Sequence, residues 1–299
     1  MRVPRELPLP APIVAAEGDL PRDVARALRA APPGRRIRVE AGGIPWSALT
    51  WGDGGGTPLL LVHGVTGSAG TWWRMGPALA ASGFRVVAPD LPGHGHTGHW
   101  MGHHRFRDNA ADLAAFVAGA GIAPAGLRVV GHSWGAMTVA ALPATGLRPA
   151  VLVLVDPPAM TRAAIAAMLD DPLEREYEDR VTAERAVRDA NPAWTSGDVR
   201  AKVEELTRFD REAARAVLLD NGDWDAGLAD LAHPAAADVP VWIVRGEPAT
   251  GSYLSEAALP ALADRIGRDR ILTVAGGPHS PHRTHPEATL VAWLTALGS

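Results

Sequence analysis

The 299-residue chain contains no cysteine. That excludes disulfides, thiolate catalysis and cysteine-ligated zinc, and leaves histidine and carboxylate as the only strong metal ligands. It has no excess of positive charge: 29 Lys and Arg against 33 Asp and Glu give a formal net charge of −4. The basic footprint that nucleic-acid binding requires is missing. No uninterrupted apolar run reaches the roughly 18 residues of a membrane span. The nearest, Leu113–Leu127, is broken by Gly119, Gly121 and Pro124. The N-terminus lacks a continuous apolar stretch of the signal-peptide kind. The expectation is a soluble cytoplasmic protein with neither nucleic-acid nor membrane partners. Tyrosine (2) and phenylalanine (4) are scarce, whereas tryptophan (10) is not. Glycine and proline together make up about a fifth of the chain, below the level of low-complexity sequence.

Residues 1–34 read as an N-terminal arm. Pro4, Pro8, Pro10 and Pro12 favour extended backbone, and a short helix from Pro21 to Ala30 ends at Pro32-Pro33-Gly34. The plain expectation is a loosely ordered appendage; the sharper one is an arm packed on a second copy of the chain in a homodimer. From Arg35 the pattern changes. RRIRVEAGGIPWSALTWG reads as two strands about Gly42-Gly43. PLLLVHG, FRVVAPD (84–90), LRVVGHS (127–133) and AVLVLVD (150–156) read as further strands. Between them lie helices over 70–82, over DNAADLAAFVAGAG with Asp108 as N-cap, and from Trp134 to about Thr145. Such alternation implies an α/β fold with a mostly parallel sheet and helices on both faces. It stops after Asp156. Residues 159–235 carry helical patterns only, and strands resume at VPVWIVRG (239–246) and RILTVAG (270–276), followed by helices 253–266 and 286–297. The expected organisation is a core of 35–158 and 236–299 with a helical cap, 159–235, over the sheet's carboxyl edge, where open α/β sheets bind ligands.

Gly131-His132-Ser133-Trp134-Gly135 fits G-x-S-x-G between a strand and a helix, the setting in which a sharp turn exposes a nucleophilic serine. With three other segments it resembles the α/β-hydrolase fold superfamily, in its capped serine-esterase branch. HGVTGSAGTW (63–72) looks like the oxyanion segment, APDLPGHGHT (88–97) like the D-x-x-G-H-G segment, and GGPHSPHRTHPEA (276–288) like the late histidine loop. The resemblance covers about 35–299 and is weakest over the cap.

The resemblance implies Ser133 as nucleophile, the backbone N–H groups of Val65 and Trp134 as oxyanion donors, and His279 as base in preference to His282 or His285. An imidazole with a pKa near 6.5 can take the serine proton near neutrality. The acid departs from the commoner pattern. The loop after the penultimate strand, RGEPATGSYLSE (245–256), holds no aspartate, and its Glu247 comes early. Asp156, before Pro157-Pro158, closes the strand beside the nucleophile strand. Asp156 is therefore the expected acid and Glu247 the alternative. Asp90, His63 and the Gly93-His94-Gly95 turn are expected to shape the fold.

His94, His96, His99, His103 and His104 crowd one loop, but their spacing matches no zinc motif, and no metal or other cofactor is expected. Trp72, Trp73, Trp100, Met160, Trp194 and Trp224 are expected to line an apolar substrate pocket. The function expected is hydrolysis of a carboxylic ester or lactone of a hydrophobic small molecule through an acyl-enzyme. Alternatives are C–C bond hydrolysis, or cofactor-free perhydrolysis or acyl transfer, with the same triad. A reading of another class is a non-catalytic ligand-binding module on the same fold.

Overall fold

The computed structural model describes residues 8–99, 102, 104–172 and 174–298. Helix α1 (Arg22–Ala30) precedes the sheet. Strands β1 (Arg35–Ala41) and β2 (Ile44–Trp51) form an antiparallel hairpin. Both turn residues, Gly42 and Gly43, have positive φ (59° and 76°), which glycine adopts without strain. The chain continues through β3 (Thr57–Val62), α2 (Met75–Ala81), β4 (Phe84–Pro89), α3 (Phe106–Gly119), β5 (Arg128–His132), α4 (Trp134–Ala140) and β6 (Val151–Val155). After the segment that follows β6, β9 (Val241–Arg245), α10 (Leu259–Ile266), β10 (Ile271–Thr273), α11 (Pro281–Thr284) and α12 (Pro286–Leu297) complete the chain. The sheet order is β1-β2-β4-β3-β5-β6-β9-β10. β2 pairs antiparallel with β4, and every pair from β4 to β10 is parallel.

The central strands have apolar residues on both faces because each face carries helices. Leu60, Val62, Val129, Leu152, Leu154 and Ile243 point into the core shared with Leu113, Phe116, Val139 and Leu262. Their neighbours Leu59, Leu61, Val130, Val153, Val155 and Val244 point the other way, onto Val24, Leu79, Leu290 and Trp293. This is the two-residue period of a pleated strand. Each such Val or Leu, fully buried, contributes about 1.5–3 kcal/mol.

The order reverses at β3, with β4 on one side and β5 on the other, so the loops after β3 and β5 part at the carboxyl edge and leave a crevice. Between β6 and β9 the chain makes β7 (Ala159–Met160), α5 (Arg162–Ala167), α6 (Arg180–Ala190), α7 (Ser196–Leu206), α8 (Arg211–Leu219), β8 (Trp224–Asp225) and α9 (Leu228–Leu231). None of these joins the main sheet. Four helix starts among the described residues of this segment are capped by side chains: Thr161 accepts from Ala164 N–H, Asp179 accepts from Thr182 N–H, Thr195 and Asp198 form a capping box, and Asp210 accepts from Glu212 and Ala213 N–H.

The structure differs from the sequence reading in three places. The described part of the N-terminal arm is not loose: Ile13 bridges to Val274 at the sheet edge, and Leu20, Val24 and Leu28 are buried against α2 and α12. The amphipathic face of α1 supplies that burial, which extended proline-rich flanks had masked. Residues 159–235 are not purely helical, because β7 and β8 form a two-residue antiparallel ladder that ties the ends of the segment together. Asp108 does not cap α3, which begins two residues earlier. There Asn221 Oδ1 accepts the Phe106 N–H at 2.9 Å, a cap supplied from far along the chain.

Candidate active site

Ser133 sits on the turn from β5 to α4 with φ 55° and ψ −121°, a conformation that a non-glycine residue holds only when its surroundings impose it. The flanking glycines explain why the turn can be so tight. A Cβ at Gly131 would meet the Gly135 carbonyl oxygen at 2.4 Å, and one at Gly135 would meet the His63 and Val62 carbonyl oxygens at 2.5 Å. The Ser133 N–H donates to Val155 O at 3.0 Å, fixing the turn to β6.

The loop after β3 runs alongside. His63 is fully buried and held at both ring nitrogens: Nδ1–H donates to Gly64 O at 2.7 Å and Nε2 accepts from Leu91 N–H at 2.9 Å. Burial pushes its pKa down to about 4, so the ring is neutral and braces the loop. Next to it, Val65 and Ser133 line the same cavity. Trp134 is the first residue of α4, where N–H groups have no partner within the helix. The N–H groups of Val65 and Trp134 have no acceptor among the described residues. Asp90 accepts from Ala69 N–H (2.7 Å), His96 N–H (3.0 Å) and Arg36 (2.8 Å), and thus holds the loops after β3 and β4 together.

Asp156 follows β6 with φ 44° and is fully buried. Its carboxylate accepts four hydrogen bonds. Gly246 N–H (3.0 Å) and Ser252 Oγ–H (2.5 Å) donate to Oδ1; Tyr253 N–H (2.8 Å) and His279 Nδ1–H (2.6 Å) donate to Oδ2. With its proton on Nδ1, His279 keeps Nε2 as an acceptor. The Tyr253 ring stacks on the imidazole, centroids 4.0 Å apart. His132 Nε2–H donates to the His279 carbonyl at 2.9 Å, anchoring the histidine loop from the Ser133 turn. Glu247 has its main-chain N–H on Gly277 O at 2.7 Å and does not line the cavity. Its position right after Gly246 puts it ahead of the turn that reaches the imidazole. Ser252 and Tyr253 were not singled out from the sequence. The signal available there was the loop that lacks an acid but must still satisfy one.

His282 is buried against Trp72 and His132, and desolvation drives its pKa well below the usual histidine range. His285 Nδ1 meets Thr284 Oγ1 at 2.9 Å. In the histidine tract, buried His94 donates from Nδ1 to Pro92 O at 3.0 Å, His96 faces Arg208, and His99 contacts Asp210. His103 lies outside the described residues.

Ser133 and His279 share a cavity of about 150 Å³ whose wall mixes apolar groups with the charged side chains of Asp171, Glu174, Lys202, Glu205 and Arg283. Helix α7 supplies Lys202 and Glu205 to it. Asp198, Lys202 and Glu205, spaced i, i+4, i+7, lie on one face, while Val199, Val203 and Leu206 pack into the core. Glu205 takes Arg283 at 2.9 Å and the Thr71 hydroxyl at 2.8 Å; Asp198 takes Arg74 at 2.7 Å. Lys202 Nζ donates to Thr66 Oγ1 at 2.9 Å, and that hydroxyl donates to Glu174 at 2.5 Å. Desolvation raises the Glu174 pKa, and Lys202 opposes the rise.

Of the residues expected to line an apolar pocket, only Trp194 is in this wall, under the Arg283 guanidinium at 4.8 Å. Trp72 is core, with its ring 5.7 Å from that of Trp293. Trp73 donates from Nε1 to Asp198 at 3.2 Å, outside the cavity. Met160 pairs with Trp224 in the β7–β8 ladder, and Trp224 packs edge-on against Phe106 at 5.0 Å. Trp100 lies outside the described residues. The large indoles fill gaps between layers, where their area is worth most.

Residues 57–187 match the family model of the alpha/beta hydrolase fold. The dihydrolipoyllysine-residue acetyltransferase component of the acetoin cleaving system of Pseudomonas putida is 30% identical over 261 residues, covering 84% of this chain and 65% of that protein. The chain thus spans just under two thirds of this relative's length. A non-heme chloroperoxidase of Streptomyces lividans is 28% identical over 79% of this chain and 90% of its own. Among solved structures, an esterase from Rhodococcus sp. ECU1013 superposes with a TM-score of 0.68 at 22% identity, over 90% of this chain and 99% of that one. With the eight-stranded sheet, the serine turn after β5 and the histidine loop after β10, these matches lead to one conclusion: the chain has the α/β-hydrolase fold.

Proposed function

We propose that the protein is a serine hydrolase that cleaves a carboxylic ester, or a lactone, through an acyl-enzyme. The observation that carries this reading is the 2.6 Å bond from His279 Nδ1 to Asp156, beside a serine held on a strained turn in the same cavity. In the proposed mechanism Ser133 Oγ attacks the carbonyl carbon and His279 Nε2 takes its proton. The negative charge that develops on the carbonyl oxygen falls to the N–H groups of Val65 and Trp134, each worth about 3–4 kcal/mol of barrier lowering. His279 returns the proton to the leaving alkoxide, and the acyl group stays on Ser133. Water, deprotonated by His279, then releases the acid. Asp156 keeps the imidazole in the Nδ1–H tautomer and stabilises its charged form.

Residues 159–235 act as a cover in this reading. They put Glu174, Trp194, Lys202 and Glu205 on the cavity wall, opposite the sheet's carboxyl edge. That wall favours small polar substrates over the hydrophobic ones expected from the tryptophans. The cavity, near 150 Å³, suits small substrates. Stopped-flow mixing with 4-nitrophenyl acetate tests the proposal. The expected result is a burst of nitrophenolate stoichiometric with enzyme, followed by slower turnover. A protein that binds small esters without releasing alcohol would be a binding module instead.

A further inference from the structure

The sequence holds a single lysine, Lys202, among 29 basic residues. It is 6% exposed and lines the cavity that also contains Ser133 and His279. An ammonium has three donors and no acceptor. Here one donor is used, on the neutral hydroxyl of Thr66. No carboxylate oxygen of the described residues lies within 4.0 Å of it. The other cations around the cavity are matched: Arg283 by Glu205 and Arg74 by Asp198. Glu174 meets Lys202 through the Thr66 hydroxyl, and its desolvation favours the protonated form. A buried charge without a contact counter-ion is costly, and the cost falls when an anion arrives.

We propose that Lys202 recognises a carboxylate on the substrate, so that the preferred substrates are short esters bearing a free carboxylate, such as half-esters of small dicarboxylic acids. The proposal rests on the hydrolase reading of the site. The substrate's carboxylate would accept the two spare ammonium protons while its ester carbonyl lies at Ser133. The cavity's size limits the chain between them to a few carbons. Glu174 acts as a gate on selectivity, because in its ionised form it repels the incoming anion.

The test compares monomethyl glutarate with methyl pentanoate, a neutral ester of like length, by pH-stat. Wild type should favour the half-ester in kcat/KM by at least about 10-fold, the worth of a hydrogen-bonded charge. Lys202→Met should lower that ratio by about 10- to 100-fold, chiefly through KM; Lys202→Arg should recover part of it, and Glu174→Gln should raise it. A ratio unchanged within about twofold in Lys202→Met overturns the proposal. A second readout needs neither variant nor turnover. In protein labelled with 15N/13C-lysine, the lone side-chain signal should shift with glutarate and not with glutaramide; no shift with glutarate overturns the proposal. Hydrolysis of methyl pentanoate without selectivity leaves the hydrolase reading standing and removes this one. A glutarate shift without hydrolysis of any ester supports the anion site and removes the hydrolase reading. Neither signal removes both.

Discussion

His279 and Asp156 meet across 123 residues of chain, Nδ1 to Oδ2 at 2.6 Å, with the carboxylate at the end of β6 rather than in the loop after β9. The loop after β9 supplies three donors that hold that carboxylate, which is the acid of the proposed mechanism. Asp156→Asn is expected to lower kcat by about 10⁴, since an amide cannot hold the imidazole in the right tautomer or balance its charge. Glu247→Gln should stay within about twofold of wild type. Steady-state rates on a common ester check both.

Ser252 is a positioning residue. Its hydroxyl gives Asp156 Oδ1 a 2.5 Å hydrogen bond. Ser252→Ala leaves the carboxylate with less neutralised charge, which favours the imidazolium form of His279. The acidic limb of the kcat/KM–pH profile should therefore move to higher pH, with kcat reduced about tenfold. A loss of rate with the profile unmoved would mark Ser252 as merely structural.

The glycines of the nucleophile turn are steric requirements. Gly135→Ala would press a methyl group to 2.5 Å from two carbonyl oxygens on β3 and its following residue. Urea unfolding should show a loss of about 2–3 kcal/mol. A variant as stable as wild type would mean that the turn has slack.

Stability should fall as pH is lowered below neutrality. His63 and His94 are fully buried, with pKa values pushed down by desolvation to about 4 and about 3. The unfolded chain takes up protons near pH 6.5 and the native state does not, so the native state is at full advantage above that pH and loses it on descent toward 4. Each histidine costs about 2 kcal/mol at pH 5. His132 and His282 act in the same direction. Asp112, raised to about 6 by burial, acts in the opposite one, but it is only half-buried. Urea midpoints should drop between pH 7.5 and 5; a flat or rising trend would contradict the buried neutral rings.

Much of this was legible in the sequence because it depends on local chemistry. The apolar runs at 59–62, 129–130 and 151–155 could only be strands covered on both sides, and G-x-S-x-G needs its glycines for steric reasons visible in one dimension. Asp156 as a candidate acid came from the resemblance, because the 245–256 loop, where the commoner pattern has the acid, holds no aspartate. The rest depends on long-range contacts. The stripe Asp198, Lys202, Glu205 reads as an ordinary solvated helix face until α7 is laid over the strand ends. Leu20, Val24 and Leu28 read as an isolated amphipathic turn until α2 and α12 meet them. Trp72, Trp73 and Trp224 depart from the expected pocket lining, because composition does not distinguish a core indole from one lining a pocket.

The central claim, an acyl-enzyme on Ser133, is tested most directly by intact-protein and peptide mass spectrometry after acid quench with an activated ester. The expected result is one acyl group per chain, located on Ser133, and none on Ser133→Ala. Ester turnover with no adduct on wild type, or an adduct and turnover that persist in Ser133→Ala, would contradict it.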